Sequence, residues 1–147
     1  MSHKPLLAPG LHDVKIDDID NHFLSSFSGS NTRPKLIDGL KKYVEALEQV
    51  GAKFEIWIDG SFATEKVDPN DIDMVIFGSA AELNKLPHLK QVALQRLIDR
   101  TSVRLTLGCD VLFCVAENQN MRSYWRGWFG FDRNESPKGI ARLEVAT

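Results

Sequence analysis

Residues Cys109-Asp110-Val111-Leu112-Phe113-Cys114-Val115 form an apolar run broken only by one carboxylate near its start. The length and the β-branched and aromatic content suit a strand, and a strand apolar at successive positions must be covered on both faces. This segment alone calls for a sheet with helices packed on it, hence an α/β (α+β) fold. It also raises a question, because an ionised Asp110 in such surroundings is expensive to bury without a partner.

The rest of the chain supplies the other layers. Thr32 reads as a helix cap, and Pro34 falls in the first turn, where its missing N–H does no harm. Leu36, Leu40, Tyr43, Val44, Leu47 and Val50 then recur at helical spacing until Gly51 stops the helix. A shorter helix is expected from Asp17 or Asp18 to Phe27, with Ile19, Phe23 and Phe27 on one face. Strands are predicted over 54–58 and 72–77, separated by a turn at Asp68-Pro69-Asn70. Ser79 caps a helical region to about Asp99, interrupted near Pro87, and residues 103–107 alternate like a strand pairing with the apolar run. Met121, Tyr124, Trp125, Trp128 and Phe129 predict an amphipathic helix with an aromatic inner face. Residues 140–145 read as a final short strand.

A chain of 147 residues suits one domain. Its divisions are N-terminal helices (1–52), motif-bearing strands and a helix (53–116), and an aromatic helix with a terminal strand (117–147). No apolar run approaches the ~20 residues of a membrane span, and the N-terminus lacks the apolar stretch of a signal peptide. No membrane partner and a cytoplasmic location are expected. Cys109 and Cys114, inside the apolar segment, read as free buried thiols rather than zinc ligands. A net charge of −2 makes a large DNA-binding surface improbable, although local patches can still meet nucleic acid.

The chemistry lies in Asp71-Ile72-Asp73. Side chains two apart on a strand share a face about 7 Å apart, so both carboxylates can converge on a cation while Ile72, Met74 and Ile76 point into a core. An isolated pair of this kind is usually a solvated strand start. Asp110 changes the reading: if its strand lies beside 72–77, three carboxylates cluster, the oxygen ligand set of two-metal phosphoryl or nucleotidyl transfer. Gly60-Ser61, where a strand ends and a helix is expected, offers backbone N–H groups, close approach and a hydroxyl to an anion.

Ile58-Asp59-Gly60-Ser61, followed after nine residues by Asp71-Ile72-Asp73-Met74 and by a third aspartate on a later strand, resembles the signature of the DNA polymerase beta-like nucleotidyltransferase superfamily. Trp57 through Thr64, Pro9-Gly10, Tyr124 through Phe129, Asp132-Arg133 and Pro137 through Ile140 resemble a small bacterial branch of it whose function is unsettled. The resemblance implies a nucleotidyltransferase-type mixed β-sheet flanked by helices, in which Asp71 and Asp73 hold both metals (Mg²⁺ or Mn²⁺), and Asp110 holds the catalytic one and can help deprotonate the acceptor hydroxyl. It also implies that Gly60 and Ser61 grip the β- and γ-phosphates of an NTP, ATP in the first instance.

Lys66, Arg133 and Lys138 are candidate triphosphate contacts, as are Arg122 and Arg126, which share a helix face. Trp125 and Trp128 could stack a base but at this spacing fit a core better. Asp59 and Glu117 read as orienting or structural acids, and His3, His12, His22 and His88 suggest no ligand set. Larger superfamily members carry a further helical domain for which this chain has no room, so either the aromatic tail helix and the N-terminal helices do that work or another polypeptide does, through self-association or as a partner protein. The expected activity is transfer of NMP to a protein side chain or an RNA 3′ end, tRNA included, in the manner of toxin–antitoxin or phage-defence enzymes. The alternative is a non-catalytic nucleotide-binding or antitoxin-like partner-binding module on the same fold.

Overall fold

The computed structural model describes residues 3–130 and 138–145. The strands are β1 (Gly10–Asp13), β2 (Phe54–Asp59), β3 (Ile72–Gly78), β4 (Cys109–Val115) and β5 (Gly139–Val145). The helices are α1 (Ile19–Phe23), α2 (Arg33–Glu48), α3 (Ala80–Asn84), α4 (His88–Leu97), α5 (Arg100–Leu107) and α6 (Gln119–Phe129). The strands make one five-stranded mixed sheet in the order β1-β5-β2-β3-β4. β1 pairs with β5, and β3 with β4, in parallel, while β2 runs antiparallel to both β3 and β5. This is the mixed α+β class expected. The pairing of β1 with β5 joins the first and last thirds of the chain into one body.

Strand alternation divides the side chains between two faces. Phe54, Ile56, Ile58, Ile72, Met74, Ile76, Cys109, Val111, Leu143 and Val145 form the main core with Ile19, Phe23, Leu40, Tyr43 and Leu47 of α1 and α2. On the other face Trp57, Val75, Phe77, Cys114 and Ile140 pack with Phe129, Met121 and Trp125 of α6. Trp57 and Phe77 meet edge to face with centroids 4.7 Å apart. Gly39 lets α2 approach α5, since a Cβ there would collide with the Leu107 carbonyl.

Several elements depart from the sequence reading. Residues 103–107 are helical rather than a strand: the Asp99 carboxylate accepts from the Ser102 N–H at 3.1 Å and Gly108 ends the helix at φ +76°. Only Val103 of α5 is buried, and Leu105, which completes the apparent alternation, projects into solvent. The first helix is shorter than expected, a 3-10 turn (Ile16–Asp18) followed by α1. Thr32 precedes α2 without capping it through its side chain. Instead the Ser30 hydroxyl accepts from the Arg33 N–H, and the Asp68 carboxylate accepts from the N–H groups of Asn31 and Thr32. α6 does not turn all its aromatics inward, for Tyr124 and Trp128 are 55% and 66% exposed. A single helix lying on a sheet covers only one edge of its apolar stripe, here Met121, Trp125 and Phe129. β1 was not anticipated.

Both thiols are buried. Burial pushes Cys109 up to about 12 and raises Cys114, which accepts a bond from the Trp125 indole N–H at 3.1 Å. Among the described residues no helix is long and apolar enough to cross a membrane.

Candidate active site

Three of the strands put a carboxylate at the same level of the sheet. Asp59 ends β2 opposite Asp73 on β3, and Asp73 is opposite Asp110 near the start of β4. Asp71, two residues before Asp73, projects to the same side. Asp71, Asp73 and Asp110 each bring an oxygen to within 4.8 Å of the others. The parallel pairing of β3 with β4 makes this possible, because it aligns the beginnings of the two strands.

Like charges at such separations oppose one another's ionisation. Asp73 is pushed up to about 6, by burial first and by the charges of Asp71 and Asp110 next, with Lys138 and Arg100 opposing. The donor set fits a hard divalent cation: carboxylate oxygens only, converging, partly buried and mutually repelling. Asp71, Asp73 and Asp110 would hold it.

Gly60 faces the cluster with φ +75°, and a Cβ at that position would strike the Asp73 carboxylate. Glycine is therefore required here twice over, for left-handed backbone and for lack of bulk. The segment that follows is a single 3-10 turn, Gly60–Ala63, with Thr64 already extended, and not the α-helix expected. A turn this short supplies little dipole, so any anion site at Gly60-Ser61 depends on local N–H groups and on rigidity.

Arg33, which sequence reasoning did not single out, provides that rigidity. It is fully buried although it opens a helix. Its guanidinium donates to the carbonyls of Phe23 (3.0 Å), Phe62 (2.9 Å), Thr64 (2.8 Å) and Lys66 (2.7 and 3.2 Å). Its central carbon lies 3.8 Å from the centroid of Phe27 and 5.0 Å from that of Phe62. Burial lowers its pKa to about 10, the Asp68 charge opposing. The N-terminal segment straps the same loop from outside, with Leu6 N–H donating to Ala63 O and Glu65 N–H to Lys4 O.

Lys138 lies beside the acids, against Asp59. Its Nζ is 2.8 Å from Asp59 Oδ2, and both side chains are nearly buried. Burial dominates the Asp59 carboxyl and pushes it up to about 7 against the pull of Lys138, and among the described residues its Oδ1 has no hydrogen-bond partner. Lys138 also opens onto a cleft of about 370 Å³ lined with Gly10, Ser123, Arg126 and Gly130, within the size range of small-ligand sites.

The other expected contacts divide. Lys66 lies in the loop after Gly60–Ala63, where its carbonyl serves Arg33. Arg126 lines the cleft. Arg122 turns away: it pairs with Glu55 at 3.0 Å and lies over Phe77 and Trp57. Trp125 is packed against the sheet, and Trp128 is exposed. Arg133 lies outside the described residues. Glu117 is structural, accepting from the Ala80 N–H at 2.9 Å at the start of α3.

Two basic residues missed in the sequence flank the acids from α5. Arg100 forms a two-pronged bond to Asp110, Nε to Oδ1 at 2.6 Å and Nη2 to Oδ2 at 3.1 Å. Arg104, one turn on, has its Nε 3.5 Å from Asp71 Oδ2. Their i, i+4 spacing was the available signal, obscured by reading 103–107 as a strand.

A family model described as "Family of unknown function (DUF6932)" matches residues 1–144. No curated protein and no solved structure shows significant similarity to the chain.

Proposed function

We propose that this chain, which belongs to that family of unknown function, is a metal-dependent nucleotidyltransferase of the polymerase beta-like kind, moving NMP from an NTP to a hydroxyl acceptor. The observation that carries the reading is the convergence of Asp71, Asp73 and Asp110 within 4.8 Å at one end of the strands β3 and β4, with Gly60 against Asp73. Three acids around an apolar sheet serve no packing purpose, and their repulsion is a standing cost that a cation would remove.

Magnesium or manganese held there would draw charge from the phosphoryl oxygens and orient them. Gly60 and Ser61 present the turn that takes up the β- and γ-phosphates, kept in shape by Arg33. Lys138, beside Asp59, meets the triphosphate from the β5 side, and the cleft next to it receives the nucleoside, with ATP the first candidate. Asp110 accepts the acceptor hydroxyl's proton. The hydroxyl oxygen then forms its bond to the α-phosphorus as the bond from that phosphorus to the bridging oxygen breaks, and pyrophosphate leaves. Positioning and electrostatics do the work without a covalent enzyme intermediate.

Incubation with α-labelled nucleotides, Mn²⁺ and a cell extract tests this. Label should pass to an acceptor with the wild-type protein and not with Asp71→Ala. Equal transfer by the variant, or none by either, refutes the proposal.

One observation favours a second reading, a non-catalytic module that binds nucleotide or a partner protein. Arg100 and Arg104 already offset part of the acidic charge, as a domain without metal would need. Calorimetry separates the enzyme, which binds Mn²⁺ and nucleotide together, from a module working only through protein contacts, which binds neither; a module that binds nucleotide without transferring it is told apart by the label-transfer assay.

A further inference from the structure

We infer that Arg100 and Arg104 grip the phosphates of a polynucleotide acceptor, so that the hydroxyl receiving the nucleotide is an RNA 3′ end and not a protein side chain. The inference deepens the nucleotidyltransferase reading and rests on it for the direction from which the acceptor arrives.

The row of acids runs from Asp59 on β2 through Asp73 on β3 to Asp110 on β4, and this order gives the site two unlike flanks. On the β2 flank stand Gly60, Ser61 and Lys138, with the 370 Å³ cleft beyond. On the β4 flank the sheet ends, and α5 presents an open face made by Arg100, Thr101, Arg104 and Leu105. If the triphosphate lies on the first flank, the attacking group reaches Asp110 from the second, past both arginines.

The chemistry of that flank suits a phosphate chain. Both arginine side chains are 59% exposed. A guanidinium has five N–H donors; Arg100 gives two to Asp110 and keeps three for a ligand. The Arg104 contact, at 3.5 Å and largely solvated, is of a class worth little on its own. Arg100 can therefore meet a phosphate with the donors that Asp110 leaves free, and Arg104 can exchange its loose contact to Asp71 for a second phosphate, in the planar geometry that arginine favours. Four residues of helix separate the two by a rise of about 6 Å, comparable to the spacing of successive phosphates along an extended single strand. Leu105, 81% exposed beside them, offers an apolar contact to a base. A lone serine or tyrosine acceptor would need no such pair of cations.

The test measures binding of a fluorescent single-stranded RNA with a free 3′ hydroxyl, by anisotropy in Mg²⁺ without nucleotide, so that no transfer can occur. Wild-type protein should bind with a salt-dependent affinity. Arg104→Ala should weaken it about tenfold, and the Arg100→Ala, Arg104→Ala pair further, each arginine lost flattening the salt slope by about 0.7. Arg104→Lys should recover part of the affinity, which a merely unfolded variant would not allow, and circular dichroism checks the fold of each. Absence of RNA binding by the wild type, or RNA binding unchanged in the double variant, overturns the inference. So does a double variant that loses affinity for ATP with Mn²⁺ but keeps that for RNA, since the arginines would then serve the triphosphate, and so does label found on protein alone in the extract. Arginine-dependent RNA binding by a protein that binds no nucleotide would sink the nucleotidyltransferase reading while leaving the RNA site in place.

Discussion

Asp73 and Asp110 lie directly opposite one another in the parallel pairing of β3 with β4, two carboxylates on strands that carry no basic residue of their own. Neutralising one should stabilise the metal-free protein. We expect Asp73→Asn to raise Tm in EDTA and to abolish the further rise that Mn²⁺ gives the wild type. A cation at a hundred times its Kd contributes about 2.7 kcal/mol to the wild type. Scanning calorimetry with and without Mn²⁺ reads both effects, and a Tm rise with Mn²⁺ of equal size in the two proteins would falsify the assignment of Asp73 as a ligand.

The same acids set a pH dependence. Asp73 at about 6 and Asp59 at about 7 both titrate above the ordinary aspartate value near 4. Between those values the folded protein binds more protons than the unfolded chain, so stability falls as pH rises. Metal-free Tm should therefore decline from about pH 4 to about pH 7 and then level off. Glu55 and Asp68, which are held low by their partners, act in the opposite sense, chiefly below that window. In saturating Mn²⁺ the trend should reverse, because only ionised carboxylates ligate. Thermal melts in EDTA that climb across the window would contradict the raised values.

Removing the Arg33 guanidinium strands four carbonyl groups around a buried hole. Each unsatisfied buried polar group costs about 1–3 kcal/mol, so Arg33→Met should destabilise by at least about 3 kcal/mol in urea denaturation. At temperatures where the variant remains folded, its affinity for nucleotide should fall while cation binding at Asp71, Asp73 and Asp110 persists, since the clamp holds the glycine-serine turn and not the strands. Loss of less than about 1 kcal/mol would show that the carbonyls find other donors.

Gly60→Ala combines a left-handed backbone with a collision against Asp73. The strained backbone alone costs about 1–3 kcal/mol, and displacement of the Asp73 carboxylate should weaken Mn²⁺ binding as well. Ser61→Ala is the control: it should leave stability and Mn²⁺ affinity near wild type and reduce nucleotide affinity alone. Calorimetry showing wild-type Mn²⁺ affinity in Gly60→Ala would separate the turn from the acids.

What the sequence disclosed and what it withheld follow from the range of the forces involved. Asp71, Asp73 and Asp110 were legible because strand alternation fixes which side chains share a face, and because a carboxylate in an apolar run must have a reason. The main helix, the strands 54–59, 72–78 and 109–115, and the cap at Ser79 are similarly local. Arg33 was not legible: a cation at the start of a helix is ordinarily solvated, and its carbonyl partners at Phe23, Phe62, Thr64 and Lys66 meet only after folding. Arg100 and Arg104 were hidden by a five-residue alternation that tertiary contacts resolve as helix. β1 was too short to show a period, and its pairing partner lies at the far end of the chain.

That far end has a further consequence. β5 sits inside the sheet, between β1 and β2, so a growing polypeptide leaves the outer margin of β2 bare, with Trp57 and Ile58 awaiting neighbours, until residues 139–145 have left the ribosome. Such margins invite pairing with other chains, and long-range strand pairing is slow to form. Lys138 arrives with the same stretch, so the Asp59 carboxyl gains its ammonium partner only as the sheet is completed, whereas Asp73 and Asp110 meet as soon as β3 and β4 pair.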